Sequence, residues 1–181
     1  MSLFLFELVP ATADRAGASA VLEEVDKAAA AAGAELIESQ ITGSHDRVFA
    51  VVEATAAAVL TDAFTTAYLV NATEVVGPDE VRLVGAELDQ IKAIKPTAGY
   101  LVEWDFPDGL DMDTYLARKK AKAPLYANVP EVAFLRTYVR EDMTKCLCFY
   151  DADDEAGVVR AREAVDTPID RLHSLAAGNE G

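Results

Sequence analysis

The sequence predicts an α+β protein in which two βαββαβ plaits follow one another along the chain. Three observations favour this fold. Segments in residues 1–85 alternate in the order strand, helix, strand, strand, helix, strand, and the same order recurs in residues 99–175. Short motifs recur at matching places in the two halves. The 181 residues, 51% of them hydrophobic, can fill the core of one ordinary domain or two very small ones.

The first half contains four short apolar segments and two longer segments with apolar residues at helical spacing. Gly33 ends the first helical segment, and the turn residues GSHD at 43–46 separate two strands. We therefore predict strands at 4–9, 34–42, 47–53 and 79–85, and helices at 12–33 and 55–69.

The second half repeats this order after a connector at 86–98, in which Leu88, Ile91 and Ile94 predict a short packed helix. A tail follows at 176–181. This element order is typical of the ferredoxin-like plait, also described as a split βαβ unit. The predicted strands are 100–106, 131–140, 145–150 and 169–175, and the predicted helices are 111–126 and 153–165.

Matching motifs predict an internal duplication. FLFELVP at 4–10 aligns with YLVEWDFP at 100–107, which places Glu7 over Glu103. Two helices cover only one face of each plait, so the other face must be buried by something else. We expect the two open faces to pack on each other as a pseudo-dimer of the dimeric α/β-barrel type. The alternative is that each face meets another chain in a homo-oligomer.

Charge and composition exclude several partners. Sixteen Lys and Arg against 31 Asp and Glu give a net charge of -15, which disfavours nucleic acid and anionic membrane surfaces. No apolar run reaches the length needed to span a bilayer. The N-terminus lacks the basic region of a signal peptide, and two cysteines do not make a disulfide framework. We therefore expect a cytoplasmic protein.

The stretch KCLCFYDADDE at 145–155 carries both cysteines. Alternate residues of a strand share a face, so Cys146, Cys148 and Tyr150 point one way. Because Leu147 and Phe149 are the natural helix-facing pair, we expect the thiols on the open face. Buried structural cysteines are the alternative. The spacing is too wide for an easy disulfide, so we predict none.

Acidic side chains of the strand at 100–106 complete the candidate site. Glu103 and Asp105 are expected near the two thiols, where Asp105 could pair with Arg136. Such carboxylates and thiols make Cys146 and Cys148 weak metal candidates, although no second Cys or His pair follows them. We predict that any ligand contacts the following side chains: Tyr150, Arg136, Trp104, Cys148 and Asp105.

Glu7 and Glu103 stand at matching strand positions and could face one cavity. Burial and like charge would raise the pKa of one of them, which would make it a general acid or base. The alternative is an ion pair with Arg47 or Arg136.

ARKKAKAP at 117–124 concentrates cations in an acidic chain. Arg118, Lys119, Lys120 and Lys122 could form a pocket for the carboxylate or phosphate of a small ligand. The alternative is the solvated face of a helix.

The second half resembles a family of small bacterial ferredoxin-like domains of unknown function, family 4242. Cys148, Tyr150, Ala152, Pro168 and Asp170 match its pattern of a strand ending C-x-Y-E-A followed by G-x-P-x-D. The resemblance covers about residues 99–175 and implies the plait fold. Some members are described as nickel-binding, so nickel is implied by resemblance only. No histidine stands where a ligand is wanted, and we expect no resident cofactor.

Three functions remain open. The first is a non-enzymatic protein that binds a small molecule, or nickel or zinc, between the two halves. The second is a cofactor-free isomerase, cyclase or monooxygenase in which Glu103 acts as acid or base, by fold analogy alone. The third is a structural or interaction protein.

Overall fold

The computed structural model describes residues 1–94 and 97–176. The chain forms two compact units. Unit 1 comprises Met1–Val81, Glu87–Thr97 and Leu175–Gly181, and unit 2 comprises Arg82–Ala86 and Ala98–Ser174, both taken over the described residues. The predicted connector is thus shared between the units, and the predicted tail lies outside the described residues except for Ala176.

Unit 1 is an antiparallel sheet with the strand order β2-β3-β1-β4. The first and third strands lie in the middle, as the ferredoxin-like plait requires. The elements are β1 (Ser2–Pro10), α1 (Arg15–Ala31), β2 (Glu35–Ile41), β3 (Val48–Ala54), α2 (Ala58–Thr61), β4 (Ala72–Val84) and α3 (Leu88–Ile94).

Helix α1 lies within the predicted range 12–33, but it begins three residues later, at Arg15, and ends two residues earlier, at Ala31. The carboxylate of Asp14 accepts a hydrogen bond from the Gly17 amide and caps the first turn. Gly33 follows the last turn with a φ of 70°, a backbone conformation that favours glycine. Val21 and Val25 face the helix-side core of the sheet.

The second predicted helix of unit 1 is much shorter than expected. It was predicted over 55–69 but forms only as α2, Ala58–Thr61, and turns replace the rest. Threonine and aspartate at 61, 62, 65 and 66 have low helix propensity, which explains the early end. Strand β4 is correspondingly longer than the predicted 79–85 and begins at Ala72.

Unit 2 repeats the plait with the strand order β6-β7-β5-β8. Asp111 caps α4 through the Thr114 amide, and Asp154 caps α5 through the Gly157 amide. The elements are β5 (Tyr100–Asp105), α4 (Met112–Lys122), a 3₁₀ helix (Ala123–Asn128), β6 (Ala133–Arg140), β7 (Lys145–Asp151), α5 (Glu155–Ala164) and β8 (Arg171–Ser174).

The predicted assignment of sheet faces in unit 2 is wrong. Cys146, Cys148 and Tyr150 belong to the core beneath α4 and α5, together with Tyr115 and Val158. Alternation therefore directs Leu147 and Phe149 to the opposite face. Both sets of side chains are almost fully buried, so hydrophobic contrast along β7 could not reveal which set meets the helices.

A β-bulge explains a second difference. The register of β6 against β7 shifts between Phe134 and Arg136, because Phe134 pairs with Tyr150 and Arg136 with Phe149. Phe134 therefore packs on the helix side, whereas Arg136 lies with Phe149 on the opposite face. Without the bulge, simple alternation along β6 would place Phe134 and Arg136 on the same face.

Candidate functional site

Three charged side chains are buried in the described part of unit 2, and two of them, Glu103 and Arg162, lie on opposite faces of its sheet. Glu103, on β5, lies on the face opposite α4 and α5 and is 1% exposed. Arg162, on α5, belongs to the helix side and is 3% exposed. A buried charge is costly unless it is paired, so the partners of these two groups indicate what each one does.

Glu103 is enclosed by cationic and imidazole groups from β7 and β8. Its Oε1 accepts a hydrogen bond from Lys145 Nζ at 2.8 Å. Its Oε2 lies 2.9 Å from Arg171 Nε and 2.7 Å from His173 Nε2. Arg171 stands directly opposite Glu103 in the β5–β8 register, and His173 stands opposite Leu101 on the same side. Strand pairing therefore assembles this cluster.

These contacts decide the protonation of Glu103. Burial alone would raise its pKa, but the hydrogen bonds from His173, Lys145 and Arg171 lower the pKa well below the usual range. A carboxylate held in this way is a weak proton acceptor. The geometry therefore favours a structural ion cluster and disfavours the predicted role of Glu103 as a general base.

Asp105 was expected to pair with Arg136, but the structure pairs it with Arg171. Asp105 accepts two hydrogen bonds from Arg171, at 2.6 and 2.9 Å, and its amide donates to Asp170 Oδ2 at 2.7 Å. The guanidinium of Arg136 lies 4.9 Å from the ring centre of Phe149. Asp105 therefore belongs to the Glu103 cluster.

Glu7 lies in unit 1, on β1. Its Oε1 is 3.7 Å from Arg47 Nη1, which agrees with the ion pair considered as an alternative to a catalytic role. The sharing of one cavity by Glu7 and Glu103 remains a prediction.

The two thiols lie on the other side of the unit 2 sheet from Glu103. Both are free, as strand spacing predicted, and both are buried, which agrees with the alternative of buried structural cysteines; their sulfur atoms are 3.7 Å apart. The hydrogen bond with Cys146 lowers the pKa of Cys148, and the charges of Arg162 and Lys119 act in the same direction. Burial raises the pKa of Cys146. The sheet thus separates the thiols from the carboxylates that were expected to join them.

That separation bears directly on metal binding. Within residues 1–94 and 97–176, no group of three or more His, Cys, Asp or Glu side chains could hold a metal ion. Cys146 and Cys148 alone supply too few ligands for a nickel or zinc site. The described residues therefore do not fit the nickel that the family resemblance implies.

The helix side of unit 2 contains a small cavity, which we call the cationic pocket. Its volume is about 30 Å³, enough for about two waters. Aromatic and cationic side chains make up most of its wall. The lining residues are Trp104, Tyr115, Arg118, Lys119, Lys122, Ala123, Tyr126, Arg162, Val165 and Thr167.

Helix ends bring the cations together. Lys119 and Lys122 stand in the last turn of α4, and Arg162 stands in the last turn of α5. Cations are favourable at helix C-termini because they complement the helix dipole. Asp166 follows α5 and binds Lys122 through its carboxylate at 3.0 Å and Arg118 through its carbonyl oxygen at 2.9 Å. The predicted cluster at 117–124 thus contributes to a pocket, except for Lys120, which is exposed outside it.

Arg162 is the most deeply buried cation of this pocket. One of its terminal nitrogens donates to the Tyr150 hydroxyl at 3.2 Å, and the other donates to the carbonyl of Pro168. Its Nε is buried without a hydrogen-bond partner. In the part of the chain that the structure describes, no carboxylate pairs with it. An arginine remains charged in proteins, so its guanidinium needs a counter-charge.

The predicted ligand residues divide between the two faces. Trp104 lines the cationic pocket, and Tyr150 and Cys148 belong to the core beside it. Tyr150 also exchanges a 2.7 Å hydrogen bond with Tyr126, which lines the pocket. Asp105 and Arg136 lie on the opposite face.

Sequence reasoning missed Arg162, although the sequence contains a signal. Val158, Ala161, Arg162 and Val165 follow the i, i+3, i+4, i+7 spacing of a buried helix stripe. An arginine within such a stripe indicates a buried charge. The reasoning also missed Arg171 and His173, which alternate on β8 and so reach the same face as Glu103.

Comparisons with known proteins agree with the fold. A model of the family described as Nickel responsive protein SCO4226-like matches residues 100–175, which is less than half of the 181 residues. This match supports the predicted resemblance of the second half. The search of curated proteins found no match. None of the described helices is both long enough and apolar enough to cross a membrane.

Two solved structures align along nearly the whole chain. A candidate chlorite dismutase, TA0507, has a TM-score of 0.57 at 14% identity, covering 97% of this chain and 95% of that one. A microcompartment protein from Desulfitobacterium hafniense DCB has a TM-score of 0.35 at 14% identity, covering 98% of this chain and 96% of that one. The chain is therefore an α+β protein of tandem ferredoxin-like plaits, as predicted, and its second plait is similar to the SCO4226-like family.

Proposed function

We propose that this protein binds a small anionic molecule and that the cationic pocket of unit 2 is the binding site. The observation that carries the proposal is Arg162, a buried guanidinium with an unpartnered Nε and no carboxylate partner among the described residues. An anion in the pocket would supply both a hydrogen-bond acceptor for the Arg162 Nε and a negative charge opposite the guanidinium. This site differs from the predicted one between the two halves, which remains a prediction.

The contrast between the acidic chain and its cationic pocket supports the same function. The chain carries a net charge of -15, yet Arg118, Lys119, Lys122 and Arg162 line one small cavity. Asp166 is the carboxylate that contacts this group, and it is 87% exposed. A local positive field within an acidic protein attracts anions and selects against cations. The aromatic side chains Trp104 and Tyr126 offer contact surface for the organic part of a ligand.

Isothermal titration with inorganic phosphate and with benzoate tests the proposal. We expect saturable binding of at least one anion by the native chain. Arg162→Gln should weaken that binding at least about tenfold, because a charged hydrogen bond is lost in a buried site. Arg160→Gln is the matched control, since Arg160 lies on the same helix but pairs with Glu131 outside the pocket.

A second pair of variants tests the proposal independently, in case Arg162→Gln does not fold. Lys119→Gln should weaken binding, whereas Lys120→Gln, next to it but outside the pocket, should leave binding unchanged. The absence of saturable binding of either anion to the native chain, or equal losses in Lys119→Gln and Lys120→Gln, would contradict the proposal.

Asp166→Asn provides an effect of the opposite sign. Asp166 holds Lys122 and repels an incoming anion, so its neutralisation should tighten binding. Because the carboxylate is exposed, we expect an increase in affinity of up to about fivefold. A purely structural role of these residues predicts no such gain.

Nickel binding is the second candidate, and it rests on the family match at residues 100–175 alone, because no group of ligands in the described residues fits the ion. Elemental analysis of protein purified without a histidine tag tests this alternative. Stoichiometric nickel that is lost in Cys148→Ser would support it.

A further inference from the structure

The charges of the cationic pocket are only partly balanced by the protein. Asp166 lies 3.0 Å from Lys122 and 3.9 Å from Arg118, so one carboxylate serves these two cations. Lys119 lies 4.0 Å from the ring centre of Phe134. Neither Lys119 nor Arg162 has a carboxylate partner in residues 1–94 and 97–176. Lys119 and Arg162 therefore have no carboxylate as a counter-charge, and Asp166 can balance only one of the other two cations.

A ligand with a single negative charge would balance only one of the two cations that lack a carboxylate partner, Lys119 and Arg162. A phosphoryl group carries close to two negative charges at pH 7 and three acceptor oxygens. Arginine presents its donors as a planar fork that fits phosphate oxygens, and lysine acts on phosphate as a point charge. The pocket offers one guanidinium and one ammonium of this kind, Arg162 and Lys119.

The size and walls of the pocket limit how such a ligand enters. Space for about two waters admits two oxygen atoms of a phosphoryl group, while the rest of the ligand stays at the mouth. Trp104 and Tyr126 line the pocket and can contact a planar organic substituent. A bare multivalent anion would leave these aromatic surfaces without a partner.

We infer that the ligand of the cationic pocket is a phosphate monoester bound as its dianion, with the phosphoryl oxygens on Arg162 and Lys119. This inference rests on the proposed function and narrows it to one chemical class. The organic part of the ester contacts the aromatic wall, and Asp166 limits affinity by competing for Lys122.

A charge-matched pair of probes tests the inference. Phenyl phosphate and phenyl sulfate both carry a tetrahedral anionic group on an aromatic ring. At pH 7.5, however, phenyl phosphate is mainly a dianion, whereas phenyl sulfate is a monoanion. In isothermal titrations of the full chain, we expect phenyl phosphate to bind at least about tenfold more tightly, because it adds a second charged contact. Lys119→Gln should reduce this preference, and Lys120→Gln should preserve it.

The pH dependence provides an independent readout. Phosphate monoesters lose their second proton near pH 6, so the affinity for phenyl phosphate should fall about tenfold between pH 7.5 and pH 5. Phenyl sulfate should show no such change. No histidine is among the described residues that line the pocket.

Several other ionisable groups lie near the pocket. The hydrogen bond from Lys122 lowers the pKa of Asp166, so this carboxylate stays ionised. Burial raises the pKa of Tyr115, Tyr126 and Tyr150, which stay neutral, and also that of Cys146. The pKa of Cys148 is lowered, so both titrations are repeated with Cys148→Ser, in which the same dependence on pH is expected.

The outcomes separate the two proposals. If phenyl sulfate or benzoate binds as tightly as phenyl phosphate, the dianion inference is wrong while the anion-binding function stands. If the affinity for phenyl phosphate does not change between pH 7.5 and pH 5, the inference is wrong for the same reason. If none of the anions binds, the proposed function fails and this inference fails with it.

Discussion

Glu103 and Arg162 are charged, almost fully buried and part of the same small sheet unit, yet they have very different surroundings. Glu103 has three partners within 2.9 Å, contributed by β7 and β8. Arg162 has a hydroxyl, a carbonyl and an unpartnered Nε. A buried charge with a full set of partners holds the fold together, whereas the lack of a carboxylate partner at Arg162 is the basis of the proposed ligand site.

The same contrast explains why the sequence pointed first to Glu103. An acidic residue inside an apolar strand is conspicuous, and a catalytic role for it is a reasonable hypothesis. Only the pairing of β5 with β7 and β8 reveals that its charge is already neutralised. Arg162 is less conspicuous because arginine is common on helices.

The largest expected effect is on stability, from Glu103→Gln. This change leaves Lys145 and Arg171 without their shared carboxylate and removes an acceptor from His173. Breaking a buried charge cluster should lower the free energy of unfolding by about 3 kcal/mol. Urea denaturation measures this loss. Asp105→Asn, half-exposed at its side chain, is the matched control and should cost less than about 1 kcal/mol.

Acid should weaken the same cluster. The pKa of Glu103 is lowered in the folded state, so the unfolded chain binds more protons below its ordinary pKa of about 4.3. The free energy of unfolding therefore falls as the pH decreases below about 4.5. Glu103→Gln should show a shallower decrease than the native chain in urea titrations at several pH values. Equal slopes would show that Glu103 is not the group that titrates.

Arg162→Met should affect stability much less than Glu103→Gln, although both residues are buried. Replacing an uncompensated buried charge with an apolar side chain is often neutral or favourable, so we expect a change of less than about 1 kcal/mol. Phosphate or phenyl phosphate in excess should raise the unfolding free energy of the native chain but not that of the variant. A loss as large as that of Glu103→Gln would remove the contrast between the two sites.

The smallest expected effect concerns the thiols. Cys146 and Cys148 are both buried, so a thiol reagent should modify neither in the folded protein and both after denaturation. The rates are followed by the absorbance of the released reagent. Rapid modification of the native chain would show that the core beneath α4 and α5 opens.

Much of the fold could be predicted from local patterns. Strand alternation, the caps at Asp14, Asp111 and Asp154, and Gly33 mark where elements begin and end, and they depend on residues close in sequence. The order of elements then leads to the plait, because few topologies accommodate a split βαβ unit. The helix predicted at 55–69 was the exception, since helical spacing there lacked the propensity to sustain it.

The sequence by itself thus determined the α+β class, the two plaits and the cationic cluster at the end of α4. Tertiary structure alone decided which face of β7 meets the helices, because both faces are buried and a bulge shifts the register of β6. It also decided which charges are neutralised, since the partners of Glu103 lie 42 to 70 residues away. Long-range pairing of this kind depends on strand register, and no local pattern records it.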